Sequence, residues 1–367
     1  MGNKAYKFRI YPNNDQRTML AKTFGCVRFI YNKMLGDKID HYRLTKDKLN
    51  TTPAQYKNEF VWLKEVDSLA LANAQLNLQV AYNNFFRSPK VGFPRFKSKH
   101  QNHNSYTTNN QGGTIRIEDG RLRLPKVGLV KLKQHRQIPD GYRLKSATIS
   151  KTPTDKYYAS LLCEYDDVPV VPIDLTSAKP VGLDFSMPEL FVSSDGDVPN
   201  YPRYYRAAQE RLAREQRKLS KCQKGSNNRN KQRKRVAKLH EKVANQRKDF
   251  LHKASRQITN AYDVVCVEDL DMKGMAQALN FGKSVMDNGW GSFVTYLGYK
   301  LSDEGKCLVK IDKWYPSSKT CSCCGNIKDK LELDERTYVC EECGLVLDRD
   351  LNAAINIRNV GVSSLQT

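Results

Sequence analysis

The chain opens with a stretch in which apolar and basic residues alternate. From Lys4 to Tyr11 the apolar side chains recur at every second position, and Pro12-Asn13-Asn14 follows. A period of two is typical of a half-buried β-strand, and Pro and Asn are typical of the turn that ends one. The sequence therefore predicts an opening strand with one basic face open to solvent.

From Asp15 the spacing of apolar residues becomes that of a helix. One stripe runs through Met19, Leu20, Phe24, Val27, Ile30, Tyr31 and Leu35. A second predicted helix runs from about Gln55 to Phe86, through Trp62, Leu69, Leu76 and Val80. Both would form a helical insertion between β segments.

After Lys99 the pattern returns to short alternating runs separated by turn residues. These runs include 113–117, 120–125, 128–132 and 157–162. Turn residues spaced about eight to twelve positions apart indicate an all-β unit. We expect a small barrel that the opening strand completes.

A domain boundary is predicted between Val168 and Pro180, where three prolines interrupt the pattern. Beyond it, apolar runs at 181–185, 190–196, 263–270 and 307–312 alternate with helical tracts. Strands that alternate with helices indicate an α/β sheet.

Length and charge narrow the class of protein. The chain has 367 residues and a mass of 42.0 kDa, which favours two or three domains over a peptide-sized or disulfide-stapled module. A net charge of +22 and a pI near 9.5 indicate a polyanionic partner, nucleic acid first. No run of eighteen apolar residues and no signal peptide are found, so we expect no membrane association and a cytosolic protein.

Much of this charge is concentrated in one tract, residues 203–256. It holds nineteen Lys or Arg against four Asp or Glu, a net of 19 − 4 = +15. Apolar stripes on either side of Gly225 predict two amphipathic helices joined by a turn. A solvated surface hairpin is the alternative, but charge of a single sign favours a helical pair that follows phosphates.

Four cysteines form two Cys-x-x-Cys pairs separated by fifteen residues: Cys321, Cys324, Cys340 and Cys343. This spacing predicts a closed tetrahedral structural zinc site, with Gly325 and Gly344 in the turns after each pair. Cys323 is a spare thiol that could compete as a ligand. A redox-active disulfide pair is the alternative.

Three carboxylates stand at the ends of predicted buried strands or at the start of a helix: Asp184, Glu268 and Asp350. Two Mg²⁺ ions about 4 Å apart would balance them and would clamp a scissile phosphate. Asp350 could instead be a helix N-cap. Asp269, Asp271 and Asp348 are rival ligands that spacing leaves open.

These motifs together resemble the TnpB family, the transposon-encoded OrfB proteins ancestral to type V CRISPR nucleases. The resemblance rests on Gly182-Leu-Asp184, Val267-Glu268-Asp-Leu, the ribbon 316–325 and Asp348-Arg-Asp350-Leu-Asn-Ala-Ala. Tyr11-Pro-Asn, Gly92-Phe-Pro-Arg-Phe and Asp249-Phe-Leu-His-Lys also match, so it covers nearly the whole chain.

The resemblance implies a multidomain α+β fold. A wedge-type β-barrel would occupy 1–12 and 105–176, with a helical recognition insertion at 13–104. A RuvC-like RNase H domain would occupy 177–314 and 347–367, interrupted by a zinc-ribbon nucleic-acid-binding insertion at 315–346. The RuvC triad would be Asp184, Glu268 and Asp350, and the zinc ligands the four cysteines.

Several residues are candidate nucleic-acid contacts. Lys90, Phe93, Arg95 and Lys97 could grip a backbone and stack on a base, although Phe93 and Phe96 could equally anchor their loop. In the basic tract the candidates are Arg211, Arg214, Lys218, Arg233 and Arg235. The resemblance places readers of a transposon-adjacent DNA motif near Ser68, Asn73, Thr108 and Asn109.

The resemblance thus implies an RNA-guided DNA endonuclease that uses two Mg²⁺ ions and one Zn²⁺. Its partners would be a guide RNA from the transposon end and double-stranded target DNA, with one protein per guide RNA, in a prokaryotic cytoplasm and on the nucleoid when bound to DNA. An RNA-guided repressor without cleavage is the alternative. A strand-transferring transposase is disfavoured, because no His-hydrophobic-His motif accompanies the tyrosines.

Overall fold

The computed structural model describes residues 1–99, 104–166, 171–278, 287–332 and 334–365. The chain divides into two compact units, Met1–Val168 and Pro169–Thr367. The predicted boundary at 168–180 begins outside the described residues, which resume at 171. Parts of the predicted insertion (100–103), barrel (167–170), nuclease domain (279–286 and 366–367) and ribbon (333) also lie outside them.

The helices of the first unit are α1 (Asn14–Thr45), α2 (Pro53–Glu59), a 3-10 turn (Val61–Glu65) and α3 (Ser68–Arg87). A capping box starts α1, in which Asn13 and Gln16 each accept the other's backbone N–H. The prediction of one helix from Gln55 to Phe86 is wrong. Asp67 starts a new helix there, because its carboxylate accepts the N–H of Leu69.

The strands of this unit form one antiparallel sheet in the order β2-β6-β7-β1-β5-β4-β3. They are β1 (Gly2–Tyr11), β2 (Asn104–Asn109), β3 (Arg116–Glu118), β4 (Arg121–Leu124), β5 (Gly128–Lys133), β6 (Arg143–Lys151) and β7 (Tyr157–Tyr165). The opening strand joins the later strands, as expected; it lies in the middle of the sheet and pairs with β7 and β5. Among the described residues β2 and β3 do not pair, so the sheet is a half-barrel.

The core of the first unit lies between this sheet and its helices. Phe8 and Ile10 of β1 are buried at alternate positions, together with Leu20, Met34 and Leu71 of the helices. Lys7 and Arg9, which alternate with them on β1, lie over the ring of Tyr158 on the other face. The period of two in the sequence therefore separates a core face from a basic face.

The second unit is built on a four-stranded sheet in the order β11-β10-β8-β9. Its strands are β8 (Pro180–Ser186), β9 (Leu190–Ser193), β10 (Val264–Glu268) and β11 (Cys307–Ile311). Its helices are α4 (Tyr204–Lys221), α5 (Asn227–Ala261), α6 (Met272–Ala278), α7 (Trp290–Ser302) and α8 (Arg349–Ser363). The strands β8, β10 and β11 are parallel, which confirms the α/β sheet expected here.

The basic tract forms the predicted helical hairpin of α4 and α5. Its turn contains Gly225, at a φ of 84°, and Arg229 donates to the carbonyl oxygens of Leu219 and Cys222 across it. Further along, Gln232 donates to the carbonyl and carboxylate of Glu215. The ribbon adds two short strands, β12 (Thr337–Val339) and β13 (Val346–Asp348). Among the described residues, no helix has the length and hydropathy needed to cross a membrane.

Candidate active site and metal centre

The three predicted catalytic carboxylates come from three neighbouring elements of the second unit. Asp184 lies on β8 and Glu268 is the last residue of β10. The register of these parallel strands aligns Leu183 with Val267, so Asp184 and Glu268 follow at the same level of adjacent strands. Asp350 lies in the first turn of α8. Asp184 does not end its strand as expected, because β8 continues to Ser186.

Close packing of α8 against the sheet brings Asp350 to this site. A Cβ atom at Gly182 would clash with the carbonyl oxygen of Ala354 and the amide of Arg358. Likewise, a Cβ atom at Gly361 would clash with Cys266 on β10. Only glycine permits such a close approach of helix and strand backbones. The glycine of the Gly182-Leu-Asp184 motif therefore positions the site.

The carboxylates repel one another at this site. Burial, followed by the charges of Glu268 and Asp350, raises the pKa of Asp184 well above its usual range. Burial also raises the pKa of Glu268, although the Ser317 hydroxyl, which donates to its Oε1 at 2.6 Å, opposes that rise. Half-buried, mutually repelling carboxylates are hard oxygen ligands that a divalent cation would stabilise. The donor set therefore fits magnesium.

The rival acidic residues have other roles. Asp348 is the N-cap of α8, accepting the N–H groups of Asp350 and Leu351. Asp271 accepts those of Lys273 and Gly274 in the same way. Asp269 is exposed and lies 2.9 Å from the Lys310 ammonium. The N-cap role considered for Asp350 thus belongs to Asp348.

Two arginines that sequence reasoning missed accompany Asp350. The Arg349 guanidinium donates to one carboxylate oxygen at 3.2 Å, and the Arg336 guanidinium lies 3.7 Å from the other. The Arg349 N–H also donates to the Arg336 carbonyl. Arg349 is recognisable in the sequence because it is adjacent to Asp350. Arg336 is not, because only the folded ribbon brings it to the site.

The four predicted zinc ligands lie together. The Sγ atoms of Cys321, Cys324, Cys340 and Cys343 all lie within 4.8 Å of one another. Two Sγ–Sγ distances are 3.6 Å, close to the separation of about 3.8 Å that Zn–S bonds of about 2.3 Å give in a tetrahedron. Cys323 is exposed and outside this group. The sulfur quartet fits one zinc ion.

The two cysteine pairs have the same backbone geometry. The Cys321 N–H donates to Asn326 O and the Cys340 N–H to Leu345 O, both at 2.8 Å. Gly325 and Gly344, with φ of 79° and 71°, turn the chain after each pair. The left-handed conformation explains why both positions are glycine.

Two asparagines of α8 join the ribbon to the carboxylate site. Asn356 donates to the carbonyls of Ser317 and Thr320, and Asn352 donates to the Thr320 carbonyl while accepting the Ser322 N–H. Ser317 in turn holds Glu268. Sequence reasoning missed these residues, although two asparagines four positions apart share one helix face.

Among the described residues, the cysteines are the only group of three or more possible ligands whose donor atoms are all this close.

The predicted contacts of the basic hairpin lie on its surface. Arg211, Arg214, Arg233 and Arg235 are exposed, and so is Lys218, which lies 2.9 Å from Glu215. Arg211, Arg214 and Lys218 line one open groove on α4. This arrangement leaves their charges available to a polyanion.

The predicted nucleic-acid contacts of the first unit are basic side chains and aromatic rings. Lys90 and Arg95 are exposed, and Lys97 lies over the ring of Tyr31, with its ammonium 4.0 Å from the centroid. The ring of Phe93 is 44% exposed and packs edge-on against Tyr82 and Phe85, so it partly anchors its loop. Phe96 is 55% exposed.

The four residues predicted near the reader of the DNA motif differ in their burial and in their hydrogen bonds. Thr108 is fully buried and its hydroxyl donates to Asp67, which withdraws it from any surface contact. Asn109 is half-buried, Asn73 donates to the Leu69 carbonyl, and Ser68 accepts from Lys57.

Comparison with family models gives three matches along the chain. Residues 160–279 match a family described as "Probable transposase", and residues 290–357 match the Cas12f1-like TNB domain. Residues 1–47 match a family described as "Helix-turn-helix domain", although here they form a strand and one 32-residue helix.

Relatives extend over the whole chain. A protein of Streptomyces pristinaespiralis named "Putative RNA-guided DNA endonuclease" is 34% identical over 98% of this chain and 90% of its own. One of Escherichia coli K12, "Putative RNA-guided DNA endonuclease InsQ", is 30% identical over 98% of this chain and 92% of its own. The fold is similar, at a TM-score of 0.58 and 14% identity, to a Cas12f1 protein solved with sgRNA and target DNA, covering 98% and 99% of the two chains. The chain therefore belongs to the TnpB family, together with these relatives named as RNA-guided DNA endonucleases.

Proposed function

We propose that the protein is an RNA-guided DNA endonuclease that hydrolyses phosphodiester bonds with Mg²⁺ held by Asp184, Glu268 and Asp350. The observation that carries the proposal is the convergence of these carboxylates within a chain of net charge +22. A cluster of carboxylates within a strongly cationic protein is suited to bind divalent cations and to act on a polyanionic substrate such as nucleic acid. The names of the full-length relatives support the same activity.

Each residue of the site has a role in this proposal. Divalent cations bound there would activate water and neutralise the charge that develops on the phosphate. Asp184 and Glu268 offer oxygens from the rigid sheet, and Ser317 fixes the orientation of Glu268. Arg349 and Arg336 orient Asp350 and place positive charge where the anionic substrate would lie.

The proposed architecture follows the resemblance in finer detail. The half-barrel would be the wedge domain, α1 to α3 the recognition insertion, and the sheet of the second unit the RuvC-like domain. Residues 315–346 would be a zinc ribbon that handles nucleic acid. The hairpin arginines and Lys218, with Lys90, Phe93, Arg95 and Lys97, would contact the guide RNA and target DNA.

The remaining partners are also proposed from the resemblance. The guide RNA would derive from the transposon end, with one protein per guide. The target would lie beside a short motif read near Ser68, Asn73 and Asn109. Sequencing the RNA that copurifies with the protein tests the first point, because a transposon-end transcript should dominate.

The decisive experiment compares single carboxylate variants in guide-loaded protein incubated with plasmid and Mg²⁺. We expect Asp184→Ala and Glu268→Gln to abolish linearisation while guide binding is kept. Asp269→Asn is the matched control, since it removes the neighbouring charge from an exposed residue paired with Lys310. Normal cutting by either site variant would exclude this active site. Binding without cutting by the unaltered protein would support the repressor.

A further inference from the structure

The turn that follows β11 is fixed to Glu268 or its strand at both ends. At its start, Ile311 pairs with Glu268 on the neighbouring parallel strand, and the Ile311 carbonyl accepts the N–H of Asp269 at 3.1 Å. At its end, the Ser317 hydroxyl donates to Glu268 Oε1 at 2.6 Å. Residues 312–316 therefore lie beside one carboxylate of the proposed active site.

Trp314 is the middle residue of this turn. It is three positions from each end, so its Cα atom lies at most about 11 Å from those of Ile311 and Ser317. Trp314 is 79% exposed, which makes it the most exposed aromatic residue in the described part of the chain. The next residue, Tyr315, packs instead against the buried cluster that contains Ile311 and Ile357. The turn thus has one aromatic anchor and presents a second ring to solvent.

Hydrogen bonds within the turn hold the backbone that carries this ring. The Asp312 carboxylate accepts the N–H of Trp314 at 2.8 Å, and the Asp312 carbonyl accepts that of Tyr315 at 3.1 Å. The Tyr315 carbonyl in turn accepts the N–H of Ser317 at 2.8 Å. A ring on a fixed backbone loses less conformational entropy on binding than a ring on a free loop. The turn is therefore suited to hold a ligand beside Glu268.

The charges next to the ring favour an anionic ligand. The Lys313 ammonium lies 4.8 Å from the centroid of Trp314, within the range of a cation–π contact. The acidic neighbours Asp312 and Asp271 accept backbone N–H groups of their own turns. An aromatic face beside an ammonium suits a nucleobase joined to a phosphate. A protein surface that covered the ring would also have to remove Lys313 from water.

We propose that Trp314 stacks on one base of the DNA strand being cut and so holds that strand at the carboxylates. A strand that guide pairing has separated from its complement has free base faces, and stacking on an aromatic ring tolerates any base. Lys313 would pair with the adjoining phosphate. This proposal rests on the proposed function, because the active site defines the strand. Trp314 is a positioning residue, since it takes no part in the hydrolysis.

The test couples variants of Trp314 to abasic residues in the DNA. Single-turnover cutting by guide-loaded protein is measured on substrates that carry one abasic residue at each position near the cut. At one position, loss of the base should slow the unaltered protein about tenfold, as expected for one stacked base. Trp314→Ala should slow cutting of the intact substrate about as much, and the abasic change at that position should then add less than about twofold. Trp314→Phe keeps a ring and should retain most of the rate.

Tyr299→Ala is the matched control, because it removes a 45% exposed ring from α7 of the same unit. It should leave the position-specific effect unchanged. Effects of Trp314→Ala and of the abasic residue that multiply independently at every position would overturn the proposal. A rate for Trp314→Phe no higher than that of Trp314→Ala would also count against stacking. A dimer that light scattering shows to dissociate in Trp314→Ala would assign the ring to a contact between copies instead.

A second readout needs no cutting and so separates this proposal from the proposed function. The fluorescent base 2-aminopurine is placed at each position near the expected cut, and its emission is measured with guide-loaded protein in Ca²⁺. Stacking on Trp314 should quench it at one position, and Trp314→Ala should restore the emission. Failure of the unaltered protein to cut in Mg²⁺ would count against the endonuclease, while this quenching would still support the stacking. Absence of quenching that depends on Trp314 would overturn the stacking alone.

Discussion

The two candidate metal sites of the second unit are assembled in different ways. The four cysteines lie within 23 consecutive positions, from Cys321 to Cys343, and two similar turns bring them together. The carboxylates come from two strands and a helix, with Asp184 and Asp350 at opposite ends of the unit's sequence. A local site depends on its own turns, whereas a distributed site depends on the packing of every element beneath it. Disruption of each site in turn therefore tests this difference.

Loss of one zinc ligand should have the largest effect, because structural zinc contributes about 10–16 kcal/mol to the folding of small domains. We expect Cys340→Ser to lose the metal and to expose residues 315–346 to protease. We also expect it to reduce cutting, because Ser317 would no longer hold Glu268 in place. Zinc content and limited proteolysis measure this. Cys323→Ser, outside the quartet, should keep one zinc per chain. Full zinc content in Cys340→Ser would contradict the assignment.

A single Cβ atom should disrupt the distributed site without touching a carboxylate. Gly182→Ala should destabilise the protein by about 3 kcal/mol or more, because the methyl group meets the backbone of α8. Urea unfolding and cutting should both be affected. Gly25→Ala on α1, where a Cβ atom has open space, should instead be neutral or stabilising by up to about 1 kcal/mol. Equal effects of the two variants would show that α8 can shift without cost.

The bridge between the two sites should carry a smaller effect. Asn356→Ala should cost about 2–3 kcal/mol, because it leaves the buried carbonyls of Ser317 and Thr320 short of a donor. It should also slow cutting with zinc retained. Asn359→Ala, an exposed position of the same helix, is the control. Unchanged cutting in Asn356→Ala would show that the ribbon and the carboxylates act independently.

The smallest predicted effect is on the pH dependence of stability, and it depends on Lys300 of α7. Burial lowers the pKa of Lys300 to about 8, and its ammonium donates to His252 O and Ser255 Oγ. The folded protein thus binds the proton less tightly than the unfolded chain. Stability should rise with pH from about 8 toward the ordinary lysine pKa near 10.4.

Lys300→Met should flatten that rise, by about 1–2 kcal/mol, without changing the cutting rate at pH 7.5. Chemical denaturation between pH 7 and pH 10 measures the slope, and Lys310→Met, an exposed lysine paired with Asp269, is the control. A slope that persists in Lys300→Met would assign the pH dependence to another group.

Sequence patterns anticipated elements whose signal is local. The opening strand, the helical hairpin broken near Gly225 and the cysteine quartet all depend on residues close in the chain. The strands β2 and β6 carry Thr, Ser and Asn at positions where apolar residues mark the other strands, so their hydrophobic pattern is weak. Hydrophobic spacing also continued through Asp67, where a cap starts a new helix.

The prediction of the candidate site rests on residue type rather than on geometry. Asp184, Glu268 and Asp350 are predicted as ligands because they follow apolar runs or begin a helix. Their supports depend on contacts across the fold: Arg336 reaches Asp350, and Ser317 reaches Glu268. The same limit applies to Thr108. The sequence predicts that it lies near the reader of the DNA motif, but in the fold its hydroxyl donates to Asp67 in the core.

Under the proposed function, the hydrogen bond from Ser317 to Glu268 would have a consequence for the host cell. The turn that leads into the first cysteine pair also orients Glu268 of the proposed cutting site, so a chain that has not acquired zinc would lack a properly oriented Glu268. A newly made enzyme would therefore be inert until its ribbon matures. Such an order of assembly would spare the chromosome from cuts by half-finished protein, and it would tie the mobility of the element to the supply of a trace metal.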